Sequence, residues 1–87
     1  MLALPAKLSI AEASAAVAAL APQVEQGSGA LVVDASALKT FDSSAIATLL
    51  ELRRRAPGRE FSVSGAPNAM VELATMYGVA DLLAFKN

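Results

Sequence analysis

The order of strand-like and helix-like segments constrains the fold of this chain more than any other feature. Strand-like runs at residues 1–5, 30–35 and 60–65 each precede a segment whose apolar residues recur at helical spacing. The second run, ALVVDA, is apolar at consecutive positions, which is typical of a strand covered on both faces. The order β-α-β-α-β-α predicts strands joined by helical crossovers. We therefore expect a single α/β domain over residues 1–87, with a small, mostly parallel or mixed sheet and helices packed against it.

The first helical segment begins after Ser9, which has with Glu12 the spacing of a capping box. Pro22 lies inside this segment and is expected to kink or end the helix, because proline has no N–H to donate. Apolar residues recur at spacings of three and four and predict one apolar stripe, formed by Ile10, Ala13, Val17, Leu20 and Val24.

The third helical segment begins near Pro67 and is expected to end at Gly78, a residue suited to the left-handed conformation after a last helical turn. Residues 79–87 are predicted to form a short turn or an edge segment. The residues of this helix that are expected to fill the core are Met70, Leu73, Ala74, Met76 and Tyr77.

The composition excludes several classes of function. The 87 residues include no cysteine and no histidine, which removes disulfides, thiolate chemistry, most zinc sites and the usual proton shuttle at neutral pH. The formal net charge of −1 argues against a nucleic-acid partner. Although 55% of the residues are hydrophobic, no run approaches the roughly 20 apolar residues that span a bilayer, and MLALPAKLS lacks the basic start of a signal peptide. We therefore expect a soluble cytoplasmic protein without direct membrane insertion.

The strongest candidate site lies in the second helical segment, which begins with FDSSAIATLL at residue 41. Asp42 is the predicted N-cap of this helix, which is expected to run from Ser43 to about residue 56. One side is aliphatic, whereas the first half of the other side is small and flat, so another protein's backbone can approach it closely. The residues predicted to contact a partner are Ser43, Ser44, Ala47, Thr48, Glu51 and Arg55. An arginine at Ser44 or Thr48 is expected to block the partner without unfolding the domain.

A second interpretation of the same helix start is phosphorylation. A hydroxyl at a helix N-terminus lies where N–H groups and the helix dipole stabilise an added phosphate. Ser44 and Ser43 are the candidates for such a modification. The local chemistry leaves open whether this segment is only a capped helix, a docking surface or a phosphorylation site.

Two other constellations have simpler explanations. Asp34 and Asp42 lie at the end of a strand and the start of a helix, where paired carboxylates can serve acid–base chemistry or hold a metal. No nucleophile, base or phosphate-binding loop accompanies them, so we expect Asp34 to shape its loop, and we predict no catalytic residue, metal or cofactor.

The basic cluster LRRRAPGR at residues 52–59 is expected to complement a helix dipole and stay in water, with an acidic partner or anionic lipid as the alternative.

The segment LVVDASALKTFDSSAIATLLELRRRA resembles the core of STAS domains, in which an apolar strand and a short loop precede an aspartate, a hydroxyl residue and an aliphatic helix. FSVSGAPNAMVELATMYGVADLLAF continues the resemblance, which covers roughly residues 30–85. It implies a STAS-like fold and a non-enzymatic role in protein interaction. STAS domains usually open with an additional edge strand and a hairpin, for which we expect too few residues before Ser9.

Two branches of this family are similar to the chain. In the STAS subunit of the bacterial lipid-asymmetry ABC transporter, the MlaB branch, the key hydroxyl falls on Ser43, and the implied partner is the cytosolic ATPase of a phospholipid-transport complex at the inner membrane. In anti-sigma-factor antagonists the phosphorylated serine falls on Ser44, and the implied partners are an anti-sigma factor and a serine kinase. Ala45 stands where antagonists usually have glycine, and the leucine-rich runs of the second and third helices favour the transporter branch.

Overall fold

The computed structural model describes residues 1–86, which form six short strands and four helices. The strands are β1 (Leu2–Ala3), β2 (Lys7–Leu8), β3 (Leu31–Asp34), β4 (Thr40–Phe41), β5 (Phe61–Ser64) and β6 (Phe85–Lys86). The helices are α1 (Ile10–Gln26), α2 (Ser43–Arg54), α3 (Asn68–Met76) and α4 (Ala80–Leu83).

The main sheet has the strand order β1-β3-β5-β6, and all of its neighbouring strands are parallel. The predicted α/β fold with a parallel sheet is confirmed. Because the strands follow chain order across the sheet, right-handed crossovers place every connecting helix on the same face. Leu31 and Val33 are buried on that face, whereas Val32 is half-buried. The expectation that this strand is covered on both faces is therefore wrong, because the helices form only one layer.

Two strands precede Ser9, where the sequence indicated room for one. β1 pairs with β3 at the edge of the main sheet, and β2 pairs with β4 in a separate two-stranded sheet. Ala6 supports this second pairing, because its carbonyl accepts hydrogen bonds from the N–H groups of Lys39 and Thr40 at 2.8 and 3.0 Å. The expectation of too few residues for an additional strand is wrong, because strands of two residues are sufficient here, but β1 and β2 pair with different strands and form no hairpin with each other.

Helix α1 confirms one boundary prediction and corrects another. Its capping box is present, with the Glu12 carboxylate accepting the Ser9 N–H at 2.8 Å. Pro22 does not end the helix, which continues to Gln26. Pro22 and Ala18 are both exposed, so the carbonyl that proline leaves unpaired lies on the outer side of the helix.

The end of α3 is a Schellman motif built around Gly78, which has the predicted left-handed conformation with φ of 73°. The Val79 N–H donates to the Ala74 carbonyl, and the Gly78 N–H donates to the Thr75 carbonyl, both at 3.0 Å. Of the segment 79–87, predicted as a short turn or an edge segment, the described residues form the one-turn helix α4 and the edge strand β6, whereas Asn87 lies outside the described residues.

The inner side of α3 is shorter than predicted. Met70 and Ala74 are fully buried, but Met76 is 81% exposed and Tyr77 is 58% exposed. The prediction that Met76 and Tyr77 fill the core is wrong. The chain reverses at Gly78 immediately after them, so the last turn of the helix extends past the layer that the core residues occupy.

Candidate partner-binding groove

The N-termini of α1 and α2 meet at one carboxylate. Asp42 Oδ1 accepts the N–H of Ser44 at 2.8 Å, and Asp42 Oδ2 accepts the N–H of Ile10 at 3.1 Å. The hydrogen bond from Ser44 and then that from Ile10 lower the pKa of Asp42. Asp42 is thus the predicted cap of α2, and it also binds the first residue of α1.

The C-terminal ends of the same two helices are joined by Arg55. Its Nε donates to Glu51 Oε2 at 2.9 Å within α2, and its Nη1 lies 3.5 Å from Glu25 Oε2 near the end of α1. These side chains are partly exposed, so each pair contributes at most about 1 kcal/mol to stability. Since α1 and α2 begin together and end together, they run parallel. The Asp42 carboxylate lies at both N-termini, the positive ends of the helix dipoles, and the Arg55 guanidinium lies at both C-termini, the negative ends.

Between these two links lies a groove of about 470 Å³. Five of the six residues predicted to contact a partner line it, and they are Ser44, Ala47, Thr48, Glu51 and Arg55. The sixth, Ser43, is the exposed first residue of α2 and is not part of the lining. Whether these residues bind a partner stays a prediction, but the structure brings five of them together at one surface.

The opposite wall of the groove comes from α1 and is formed by Ala13, Ser14 and Val17. The sequence interpretation missed this wall, because it assigned Ala13 and Val17 to the same apolar stripe as Leu20 and Val24. Only the C-terminal part of that stripe is buried, whereas Ala13 and Val17 are half-buried and Ile10 is 79% exposed. A signal was available in the absence of any large apolar side chain between residues 11 and 16.

Thr48 is the floor of the groove rather than part of an open surface. It is 2% exposed, and its hydroxyl has no hydrogen-bond partner within residues 1–86. The expectation that an arginine at Thr48 leaves the domain folded is therefore wrong, because a buried position cannot accept the larger charged side chain. An unpaired buried hydroxyl costs about 1–3 kcal/mol, so packing alone does not favour threonine here.

The two serines differ in how well they accommodate a phosphate. Ser43 is exposed, whereas Ser44 is half-buried. The N–H of Ser44 already donates to Asp42. A phosphate on Ser44 therefore has to compete with a carboxylate of the same charge sign for the helix N-terminus.

The other constellations have structural roles. The Asp34 carboxylate accepts the Ser36 N–H at 2.9 Å, and the side chain and then the N–H of Ser36 lower the pKa of Asp34. The expected loop-shaping role of Asp34 is confirmed, and no cluster of three acidic residues that can hold a metal occurs within residues 1–86.

One member of the basic cluster does not stay in water. Arg59 is half-buried and donates to the carbonyls of Val24 and Gly29, each at 2.6 Å. It therefore closes the end of α1 and the loop that follows. Arg54 and Arg55 contact Glu51, so the cluster is distributed over several local contacts rather than forming one free patch.

Residues 1–84 match a protein-family model described as "Mlab, STAS domain". The match includes the N-terminal segment with β1 and β2, which the resemblance in the sequence did not reach. A search of curated proteins found no match. The parallel strands and the single helical layer agree with a STAS-like domain, a class that supports regulation and protein interaction in general.

Proposed function

The chain belongs to the MlaB-like STAS domain family, and from this premise we propose that it is a non-enzymatic regulatory or assembly subunit that binds the cytosolic ATPase of a bacterial phospholipid-transport ABC system. In this role it is a cytoplasmic protein held at an inner-membrane complex by its partner. None of the helices within residues 1–86 is long and apolar enough to cross a membrane.

The observation that carries the proposal is the groove between α1 and α2. Five of the six predicted docking residues converge on it, and most of its lining consists of short side chains. Ala47 is exposed on α2 and presents only a methyl group to an approaching surface. Helices pack with axes about 8–10 Å apart, and short side chains permit the closest approach. The proposed mechanism is docking of this face against a helical part of the ATPase.

The acidic residues support a role in binding rather than in catalysis. The carboxylates of Asp34 and Asp42 are each occupied by backbone N–H groups of their own loop or helices. A general acid or base needs a free carboxylate within reach of a substrate. Their hydrogen bonds also lower the pKa of both groups, which is the opposite of what a general acid at neutral pH requires.

The experiment uses the exposed alanines of the two helices. Coexpression of the full chain with the ATPase subunit of its own transporter should give a copurifying complex, and Ala47→Arg should abolish copurification by filling the groove with a long charged side chain. Ala15→Arg is the matched control, because Ala15 is also exposed but does not line this groove. A wild-type chain that does not copurify with the ATPase contradicts the proposed function.

The alternative function is that of an anti-sigma-factor antagonist controlled by phosphorylation of Ser44. It predicts that a serine kinase encoded beside the gene adds one phosphate to Ser44, and that Ser44→Asp weakens binding to the anti-sigma factor. Mass spectrometry after incubation with the kinase distinguishes the two functions. Ala45, which stands where antagonists usually have glycine, favours the transporter function.

A further inference from the structure

We infer that the partner docks a single amphipathic helix into the α1–α2 groove, and that α1 supplies half of the binding site through Ala13, Ser14 and Val17. This inference rests on the proposed function, whose residues lie on α2 and at its C-cap, Arg55. A groove between two parallel helices whose ends are linked is a preformed receptor for a third helix. The volume of about 470 Å³ falls in the range of sites that receive several apolar groups.

The links at the two ends keep the groove open at a fixed width. Asp42 holds the start of α1 to the start of α2, and Arg55 reaches from the end of α2 to Glu25 of α1. Apart from Glu51, which pairs with Arg55, the lining between them consists of alanine, serine, threonine and valine. The site therefore needs little rearrangement when a helix binds, which reduces the entropic cost of association.

Thr48 provides an independent indication that this groove binds a ligand. Its side chain lines the groove, is almost completely buried, and has a hydroxyl without a hydrogen-bond partner within the described residues 1–86. Buried polar groups in native structures are normally paired, and exceptions need an explanation. A small side-chain movement on binding lets this hydroxyl pair with a polar group of the docked helix.

The charges around the groove define the partner helix further. The ends carry three carboxylates, those of Asp42, Glu25 and Glu51, and two guanidinium groups, those of Arg54 and Arg55. The two carboxylates at the Arg55 end, those of Glu25 and Glu51, are paired with the two guanidinium groups, so their charges balance. Asp42, at the other end, has no salt bridge within residues 1–86 and carries the remaining negative charge. The complementary helix therefore has short apolar side chains along its inner face and one basic side chain at the end beside Asp42.

Adjacent residues of α1 provide the test. Ser14 and Ala15 are both exposed, but only Ser14 lines the groove. With the purified ATPase as the probe, Ser14→Arg should weaken binding at least tenfold in a titration by biolayer interferometry, whereas Ala15→Arg should change the affinity less than twofold. Circular dichroism of both variants verifies that the fold is intact.

The outcomes separate this inference from the proposed function. If Ala47→Arg abolishes binding and Ser14→Arg binds like the wild type, the α1 wall is not part of the site and the inference is overturned, while the function stands. If the wild-type chain does not bind the ATPase, both are overturned. If light scattering shows a dimer of the free chain that Ser14→Arg dissociates, the occupant is a second copy of this chain, which also overturns the inference.

Discussion

Asp42 Oδ2 accepts a hydrogen bond from the N–H of Ile10 at 3.1 Å, across 32 residues of sequence. The other oxygen of the same carboxylate caps α2 through Ser44. A single side chain thereby fixes the relative position of two helix N-termini. It also fixes the end of the groove that lies beside them. The residue that begins the family motif is therefore also the residue that holds the two walls of the groove together.

Asp42→Ala should loosen both helices, not only the one that Asp42 caps by sequence position. Hydrogen–deuterium exchange at the amides of Ile10 and Ser44 should accelerate together, because both lose their acceptor. The matched control is Asp34→Ala, which removes the acceptor of Ser36 alone and should leave the two helix starts protected. Unchanged exchange at Ile10 in Asp42→Ala contradicts the link between the helices.

The stability of the domain should be constant near neutral pH and fall in acid. Asp42, Asp34 and Glu12 all have a pKa below the ordinary values of 3.8 for aspartate and 4.5 for glutamate, and the Ser9 side chain and then its N–H lower the pKa of Glu12. A lowered native pKa contributes stability that is complete above the ordinary value and is lost as the pH falls through the native value. Because the chain has no histidine, no unperturbed side chain titrates between about pH 5 and 8.

Urea unfolding between pH 2 and 7 measures this dependence. The free energy of unfolding should decline only below the ordinary carboxylate pKa values, and Asp42→Asn should reduce the size of the decline because it removes one of the three groups. A loss of stability between pH 6 and 8 contradicts the assignment.

The hydroxyl of Thr48 should contribute nothing to stability. Thr48→Val retains the shape and removes the unpaired buried hydroxyl, so the free energy of unfolding should stay the same or rise by about 1 kcal/mol. The same variant should bind the ATPase more weakly if the hydroxyl pairs with the docked helix. A loss of more than about 1 kcal/mol on chemical denaturation indicates instead that the hydroxyl is hydrogen-bonded in the free domain.

Local patterns in the sequence predicted the fold class and the α2 side of the groove. The cap at Asp42, the capping box at Ser9 and the turn at Gly78 depend on neighbouring residues, and all three are present. The α2 wall of the groove could also be predicted, because residues spaced three and four apart lie on one side of a helix. Positions 44, 47, 48, 51 and 55 have this spacing.

The features that the sequence did not predict depend on contacts between distant residues. No pattern within α1 indicates that Ile10 donates to Asp42, or that Arg59 closes the end of α1 through Val24. The two-residue strands β2 and β4 are too short for a periodic signal and exist only because they pair with each other. Burial of Thr48 likewise depends on α1, which lies at least 22 residues away in the sequence.

The two methionines of α3 should differ sharply in their contribution to stability. Met70 is fully buried, so Met70→Ala should lower the free energy of unfolding by about 2–5 kcal/mol through the lost contacts and the cavity. Met76 is 81% exposed, so Met76→Ala should change it by less than about 0.5 kcal/mol. Chemical denaturation of both variants tests whether the end of α3 projects beyond the core, and equal losses show that it does not.

Gly65 should be the least replaceable of the glycines with positive φ. It has φ of 69°, and a Cβ added there lies 2.9 Å from the Cβ of Ser36 in the loop after the neighbouring strand β3. Gly58 has φ of 77° but no atom within 4 Å of such a Cβ. Both Gly→Ala changes incur the left-handed backbone cost of about 1–2 kcal/mol, and only Gly65→Ala adds the steric overlap with the loop.

The difference between these two variants isolates the close approach of two loops at the carboxyl ends of β3 and β5. Thermal unfolding should give a lower midpoint for Gly65→Ala than for Gly58→Ala. Since the loop from Ser36 leads into β4 and then to Asp42, displacement of that loop should also accelerate hydrogen exchange at Ser44. Equal unfolding midpoints for the two variants show that the Ser36 loop can move aside without loss of stability. The position of Asp42 then does not depend on Gly65.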